Sequence, residues 1–155
     1  MAINKVKEYF SKFGKEKDIY EFNESSATVK EASERLNCNE ELIAKTLSFM
    51  VFNKPILIVL PGNVKIDNTK YKAVFNTKAK MLSQDEVKTL IGHEIGGVCP
   101  FAINDGVTVY LDISLKKYEY VYPACGNDKS AIKLSISELE KYSNFDSYID
   151  VGKIS

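Results

Sequence analysis

The apolar positions of the chain follow helical spacing in some segments and strand-like alternation in others. Ile3, Val6, Phe10 and Phe13 recur at intervals of three and four, which predicts an amphipathic helix over residues 3–13. Further helices are predicted over residues 29–36, 40–45, 67–75, 84–91 and 137–142.

Polar residues mark where several of these helices begin. A hydroxyl residue followed three positions later by glutamate forms a capping box, because the two side chains satisfy each other's free backbone amides. The pattern occurs at Thr28 with Glu31, at Ser83 with Glu86, and at Ser135 with Glu138. Asn39 is the predicted cap of helix 40–45, and Gly92 is the predicted end of helix 84–91.

Residues 46–62 predict a buried β-hairpin, because apolar and β-branched residues dominate both arms around a turn at 53–55. Shorter strands are predicted at 19–22, 79–82, 106–112, 118–123 and 131–134. Helices and hairpins are interspersed without a regular βαβ repeat. The pattern therefore predicts an α+β fold, with residues 1–155 forming a single domain in which helices surround a mixed β-sheet.

Composition and charge limit the classes of function. Hydrophobic residues make up 45% of the chain, and no apolar run approaches the ~20 residues of a membrane span. We therefore expect a cytoplasmic protein with no membrane partner. The net charge is zero, with 21 basic and 21 acidic residues, whereas proteins that grip long nucleic acids are usually basic.

The charges are nevertheless distributed unevenly. Residues 16–41 are rich in acidic side chains, whereas residues 63–80 carry five lysines and one aspartate. The lysines are Lys65, Lys70, Lys72, Lys78 and Lys80. This basic segment is either an ordinary solvated face or a patch for a short phosphate-bearing ligand.

The segment GHEIGGVCPF, residues 92–101, concentrates glycines ahead of a predicted strand. Glycine lets a ligand approach the main chain, and Pro100 restricts the backbone of its own residue and of Cys99. The loop could donate backbone hydrogen bonds to a carbonyl oxygen or a developing oxyanion. The alternative is a tight helix-to-strand connection, for which Gly92 alone would suffice.

The cysteines and the single histidine offer little independent chemistry. Cys38, Cys99 and Cys125 are odd in number and widely spaced, which argues against a disulfide framework. A closed zinc site would have to recruit all three together with His93, so we expect no metal and no cofactor. A Cys99–His93 thiol hydrolase is conceivable, but a buried cysteine and a surface or capping histidine are the simpler interpretations.

Lys45 stands at the predicted end of helix 40–45 and immediately before a buried strand. Two interpretations remain open from the residues alone. The ammonium group either caps the helix C-terminus or projects into a cleft at the end of the sheet.

Four segments occur in an order that is similar to one known family: AKTLSF, GGVCPF, VYLDISLKKYEYVYPACG and SAIKLSISEL. Together they resemble the YbaK/prolyl-tRNA synthetase editing-domain family, the aminoacyl-tRNA deacylases, from about Tyr20 to Tyr142. The resemblance implies a hydrolase in translation fidelity whose partner is the acceptor end of aminoacyl-tRNA. It also makes prolyl-tRNA synthetase a candidate partner.

The resemblance assigns roles to particular residues. Lys45 would hold the aminoacyl ester near the terminal adenosine, and the main chain of Gly96 and Gly97 would contact the reacting carbonyl, so these three are the expected catalytic residues. The expected substrate-binding residues are Thr46, Val98, Cys99, Pro100, Phe101, Gly126, Asn127 and Ser130. On this interpretation the glycines keep main-chain donors bare beside a carbonyl group.

The resemblance leaves the amino acid specificity open. Where cysteinyl-tRNA deacylases of the family carry an aspartate, this chain has Ala131, and the histidine common in members that clear alanyl-tRNA is absent. Cys-tRNA(Pro) and Ala-tRNA(Pro) are the expected substrates, attacked by water or by the substrate's own thiol. The alternative is a non-catalytic module that binds tRNA ends or a synthetase. A contact limited to the acceptor end would give a shallow salt dependence.

Overall fold

The structure is a computed structural model that describes residues 2–154. Its helices are α1 (Ala2–Ser11), α2 (Val29–Leu36), α3 (Asn68–Phe75), α4 (Gln84–Glu86) and α5 (Ile136–Ser143). Its strands are β1 (Ile19–Glu21), β2 (Ile43–Val51), β3 (Lys54–Pro61), β4 (Val64–Ile66), β5 (Thr108–Asp112), β6 (Tyr120–Pro123), β7 (Ser130–Ile132), β8 (Leu134–Ser135), β9 (Ser147–Ile149) and β10 (Gly152–Ile154). In this part of the chain, no helix has both the length and the apolar character needed to cross a membrane.

The three predicted capping boxes are confirmed. Thr28, Ser83 and Ser135 each accept the amide of the glutamate three residues later, and each glutamate side chain accepts the amide of its cap. The helix that Ser83 begins changes into a π-helical turn after Glu86 and ends at Gly92, whose φ is +94°. Helix α1 ends at Ser11, so the prediction that Phe13 belongs to its buried face is wrong, and Phe13 is 41% exposed.

Strands β2 and β3 form the predicted hairpin, which lies at the centre of the fold. Their antiparallel register runs from Ala44 opposite Pro61 to Val51 opposite Lys54. The turn consists of Phe52 and Asn53, slightly earlier than predicted, and both have positive φ, as a two-residue type I′ connection requires.

The main sheet is mixed, as predicted, with the strand order β8-β6-β2-β3-β5-β9. Strands β6, β5 and β9 run parallel to their inner neighbours, whereas β2–β3 and β6–β8 are antiparallel. Two smaller antiparallel pairs, β1–β7 and β4–β10, flank it. The predicted strand at 79–82 is reduced to one bridge between Met81 and Phe49, and the predicted strand at 131–134 is divided between β7 and β8.

Alternating residues of the central strands face two separate cores. Leu57 and Val59 of β3 pack with α1, α5 and the π-helical turn, whereas Ile58 and Leu60 pack with α3 and β4. Because side chains alternate across a strand, each face of the sheet acquires its own apolar layer.

The predicted helix over residues 40–45 is wrong. Only Glu40–Leu42 form a 3₁₀ turn, Asn39 makes no side-chain cap, and β2 begins at Ile43. Ile43 and Ala44 are buried beside β6, so pairing with the sheet outweighs the weak helical pattern of a six-residue segment. Lys45 is therefore a strand residue, which removes the interpretation that it caps a helix.

Candidate functional site

A cavity of about 280 Å³ opens where β6 separates from β2. The two strands pair only through Ile43 with Tyr122 and Ala44 with Pro123. The next residues of β2, from Lys45 to Leu47, then line the cavity instead of continuing the ladder. The start of α2, the glycine loop and the β6–β7 region complete its walls.

Lys45 supplies a cationic group in this cavity. Its Nζ donates to the carbonyl oxygen of Gly62 at 3.3 Å, and the side chain is half-buried. Burial lowers the pKa of Lys45 below its ordinary value, because desolvation disfavours the ammonium form. Among residues 2–154, no carboxylate lies within ion-pair distance of Lys45, so the ammonium is left to interact with an electron-rich ligand.

Thr46 adds an unsatisfied hydroxyl to the same wall. Its Oγ1 is buried and has no hydrogen-bond partner among the described residues. Buried polar atoms in proteins are nearly always paired, so an exception in a cavity wall deserves an explanation. A ligand that hydrogen-bonds to this hydroxyl would provide one.

Gly96 is the residue of the predicted loop whose main chain lines the cavity. It occupies the third position of a turn closed by the Gly97 N–H donating to the Glu94 carbonyl at 3.0 Å. Its φ is +84°, a conformation that glycine adopts without steric cost. A Cβ on Gly96 would lie 2.8 Å from the Cβ of Ala27, so any side chain would narrow the cavity at its α2 wall.

Gly97 has a different role from the one expected. Its N–H is occupied by Glu94, and its carbonyl accepts the Gly126 N–H at 2.9 Å. A Cβ at this position would overlap the backbone of Asn127. The expectation of two bare amides is therefore corrected: Gly97 is a glycine because another backbone segment passes close by, and Gly96 alone remains the candidate donor.

Of the expected substrate-binding residues Gly126, Asn127 and Ser130, only Ser130 lines the cavity. Ser130 and Ala131 line the cavity, and the buried Ser130 Oγ accepts the Cys125 N–H at 3.3 Å and donates to the Asn127 carbonyl at 3.4 Å. Gly126 and Asn127 instead lie behind the glycine loop and hold it. Ala131 makes this part of the wall apolar.

Val98 lines the cavity, but the three residues after it do not. Cys99 and Phe101 are fully buried in the core on the α1 side, and Pro100 borders a separate groove near Tyr9. Their side chains therefore support the loop from behind. Any contact they make with a ligand would have to come through the main chain.

The Cys99–His93 pair does exist, but its environment does not suit a nucleophile. The Cys99 Sγ lies 3.4 Å from the His93 Nε2, which donates to the Phe101 carbonyl at 2.7 Å. Burial raises the pKa of Cys99 to about 12 and lowers that of His93 to about 4, so both stay neutral near pH 7. The expectation of a surface or capping histidine is wrong, because His93 is 2% exposed and fastens the two ends of the glycine loop.

Sequence reasoning missed the wall that α2 contributes. Ala27, Thr28 and Val29 line the cavity together with Tyr122. The capping box at Thr28 indicated only where a helix begins. Within residues 2–154, no cluster of three or more His, Cys, Asp or Glu side chains is placed to hold a metal ion.

Comparison with known proteins supports the resemblance drawn from the motifs. The sequence model of the aminoacyl-tRNA editing domain matches residues 23–142, which include every cavity segment named above. The chain belongs to the aminoacyl-tRNA editing-domain (YbaK) family. The uncharacterized protein YwhH of Bacillus subtilis is 46% identical over 99% of this chain and 98% of its own length.

Proline–tRNA ligases also contain a similar segment. The ligase of Halalkalibacterium halodurans is 29% identical over 80% of this chain, which spans only 21% of the ligase. Among solved structures, a candidate trans-editing enzyme for prolyl tRNA synthetase superposes with a TM-score of 0.87 at 24% identity, covering 98% of this chain and 97% of that one. The hypothetical protein APE2540 gives a TM-score of 0.83 at 24% identity, over 96% and 99% of the two chains. These two likenesses confirm the fold.

Proposed function

We propose that the protein is a free-standing hydrolase that deacylates mischarged tRNA, with Cys-tRNA(Pro) or Ala-tRNA(Pro) as its substrate. The observation that carries the proposal is that Lys45, Thr46 and Gly96 line one cavity. The membership of the editing-domain family supports it. A role in the cytoplasm, with prolyl-tRNA synthetase as a partner, belongs to the same proposal.

The chemistry required of the protein is modest, because an aminoacyl ester is already an activated acyl group. An attacking water oxygen, or the thiol of a cysteinyl substrate, forms a bond to the ester carbonyl carbon. The bond from that carbon to the ribose oxygen then breaks, and the proton of the attacking group passes to the ribose oxygen. The water route releases the free amino acid, whereas the thiol route releases a cyclic cysteine thiolactone that water then hydrolyses to cysteine. The protein must hold the ester in position and stabilise the charge that develops on the carbonyl oxygen.

Each cavity residue has a place in this scheme. The Lys45 ammonium and the Gly96 N–H are the donors for the developing oxyanion, and the Thr46 hydroxyl is available to the ribose or the α-amino group. Small residues at positions 27, 124 and 131 leave room for a compact aminoacyl side chain. No step requires a covalent enzyme nucleophile, which agrees with the inert environment of Cys99.

A panel of mischarged tRNAs tests the proposal. We expect the purified protein to release alanine or cysteine from tRNA(Pro) at least tenfold faster than the spontaneous rate, and to leave correctly charged Pro-tRNA(Pro) intact. The substrate's own thiol is the attacking group if cysteinyl but not seryl ester is cleaved. Absence of cleavage across the panel would contradict the proposal.

A second candidate is a non-catalytic module that binds tRNA ends. Ala131 in the cavity wall favours it, because the resemblance aligns this apolar residue with an aspartate of the cysteinyl-tRNA deacylases. The same panel separates the two functions. Tight binding of aminoacyl-tRNA without turnover would establish the module and exclude the hydrolase.

A further inference from the structure

A basic surface lies outside the cavity, on the face of the sheet covered by α3 and β4. It is an open groove of about 640 Å³, and we define the lysine groove by four of its lining residues, Lys70, Lys116, Lys117 and Lys153. Lys65 lies beside it, because β4 and β10 pair there. The cavity mechanism leaves these lysines without a role.

The acidic groups of the groove are already engaged within the protein. Asp112 is 1% exposed, and its carboxylate accepts the N–H groups of Val151 at 2.9 Å and of Ser114 at 3.1 Å. Asp150 forms an ion pair with Lys70 at 3.1 Å. The exposed charge that remains along the groove is therefore positive.

Lys65 and Lys153 are the least compensated pair. They stand directly opposite each other in the antiparallel β4–β10 ladder, and both are exposed. Like charges in opposed positions destabilise a sheet. The pKa of Asp67 is lowered mainly by the hydrogen bond from the Lys70 N–H and to a smaller extent by the charge of Lys153, but Asp67 forms no ion pair with Lys153 among the described residues. An anionic group lying across the two ammonium ions would remove the repulsion.

Gly62 links the candidate active site to the strand that carries Lys65. The Gly62 carbonyl accepts the Lys45 Nζ, and a Cβ on Gly62 would lie 2.7 Å from the Val29 side chain in the cavity wall. Lys65 follows Gly62 by three residues, a reach of at most ~10 Å along the chain. Lys65 is therefore within reach of a polymer whose end occupies the cavity.

We infer that the lysine groove, together with Lys65, binds the phosphate backbone of the tRNA acceptor stem while the aminoacyl end occupies the cavity. This inference rests on the proposed function for the identity of the polyanion. A groove of this kind contacts only a few phosphates. Because the salt dependence scales with the number of phosphates contacted, we expect the logarithm of the affinity to fall with the logarithm of the salt concentration with a slope of about 2 to 4.

The test uses an uncharged RNA hairpin that carries an acceptor stem with a 3′ CCA end, with binding followed by fluorescence anisotropy at several salt concentrations. The variant is Lys65→Gln with Lys153→Gln. The matched control is Lys12→Gln with Lys88→Gln, which removes two exposed charges from elements on the other face of the sheet. We expect the Lys65/Lys153 variant to bind about tenfold more weakly and its salt slope to fall by about 2. The control should bind within twofold of the parent.

A second readout separates this inference from the proposed function. The groove variant should hydrolyse 3′-aminoacyl-adenosine like the parent, while its kcat/KM for the aminoacylated hairpin falls about tenfold. Equal losses of hairpin affinity in the Lys65/Lys153 and Lys12/Lys88 variants would contradict the inference that the lysine groove binds the acceptor stem. A salt slope that neither variant changes would contradict it as well. If polyglutamate binds as tightly as the hairpin and depends on the same lysines, the inference is also contradicted, and an acidic protein partner is favoured instead. If the parent binds the hairpin through these lysines but cleaves neither ester, the inference about the lysine groove is supported and the proposed hydrolase activity is contradicted.

Discussion

At the scale of single residues, the site contains polar groups with few partners in the protein. The half-buried Lys45 ammonium has the Gly62 carbonyl but no carboxylate partner among residues 2–154, and the Thr46 hydroxyl has no partner there. Both conditions cost folding free energy, because desolvated polar groups lose their bonds to water. Such costs are typical of functional sites, where ligand binding repays them.

This cost predicts that replacing Lys45 stabilises the fold. The folded-state pKa of Lys45 is lowered, so its charged form opposes folding at neutral pH, and this penalty disappears as pH rises from the folded-state towards the unfolded-state pKa. Lys45→Met should therefore unfold at higher urea than the parent at pH 7, with a gain of about 0.5 kcal/mol or more. The gain should shrink at pH 10.

The matched control for this prediction is Lys54→Met, an exposed lysine at the far end of the same hairpin. Its stability should stay within about 0.5 kcal/mol of the parent at pH 7. A Lys45→Met protein that is less stable than the parent at pH 7 would show that the hydrogen bond to Gly62 outweighs the desolvation of the ammonium.

At the scale of elements, local patterns with one physical solution were predictable from the sequence. Each capping box has a single geometry that satisfies both amides, and the hairpin has two long apolar arms. The structure of residues 40–45 was not predictable in this way. A six-residue segment is compatible with both the helical and the strand period of apolar residues, and its pairing with β6 is non-local. The contribution of α2 to the cavity depends equally on tertiary contacts.

The glycine loop shows the same limit. Its glycine content correctly indicates that another group comes close to the loop backbone, but it does not indicate which group. Gly96 faces the cavity, whereas Gly97 faces Asn127. Likewise, the sequence could not show that His93 lies buried against the Phe101 carbonyl, eight residues away in the chain. The candidate site was thus predictable as a set of segments, but the role of each residue within it was not.

The two capping boxes at Thr28 and Ser83 allow a controlled test of α2 as a cavity wall. Thr28→Ala and Ser83→Ala each remove a cap, so each should cost about 1 kcal/mol of stability in urea unfolding. Only Thr28 lines the cavity, so only Thr28→Ala should raise KM for deacylation, by about threefold or more. Equal effects of the two variants on KM would show that α2 acts through general stability alone.

At the scale of the whole molecule, the position of the site follows from the topology. The central hairpin separates two apolar cores, and β6 pairs with β2 over only two residues before the chain turns away. The cavity occupies the gap that this separation leaves.

The central claim is that the Lys45 ammonium acts on the ester within this cavity. The most direct measurement is the single-turnover rate of deacylation of the preferred mischarged tRNA(Pro), at saturating protein, for the parent, Lys45→Ala and Lys54→Ala. We predict a loss of at least a hundredfold for Lys45→Ala, since removing one oxyanion donor typically costs ~10²–10³ in rate. Lys54→Ala should keep the parent rate within twofold. A Lys45→Ala protein that deacylates as fast as the parent would contradict the account.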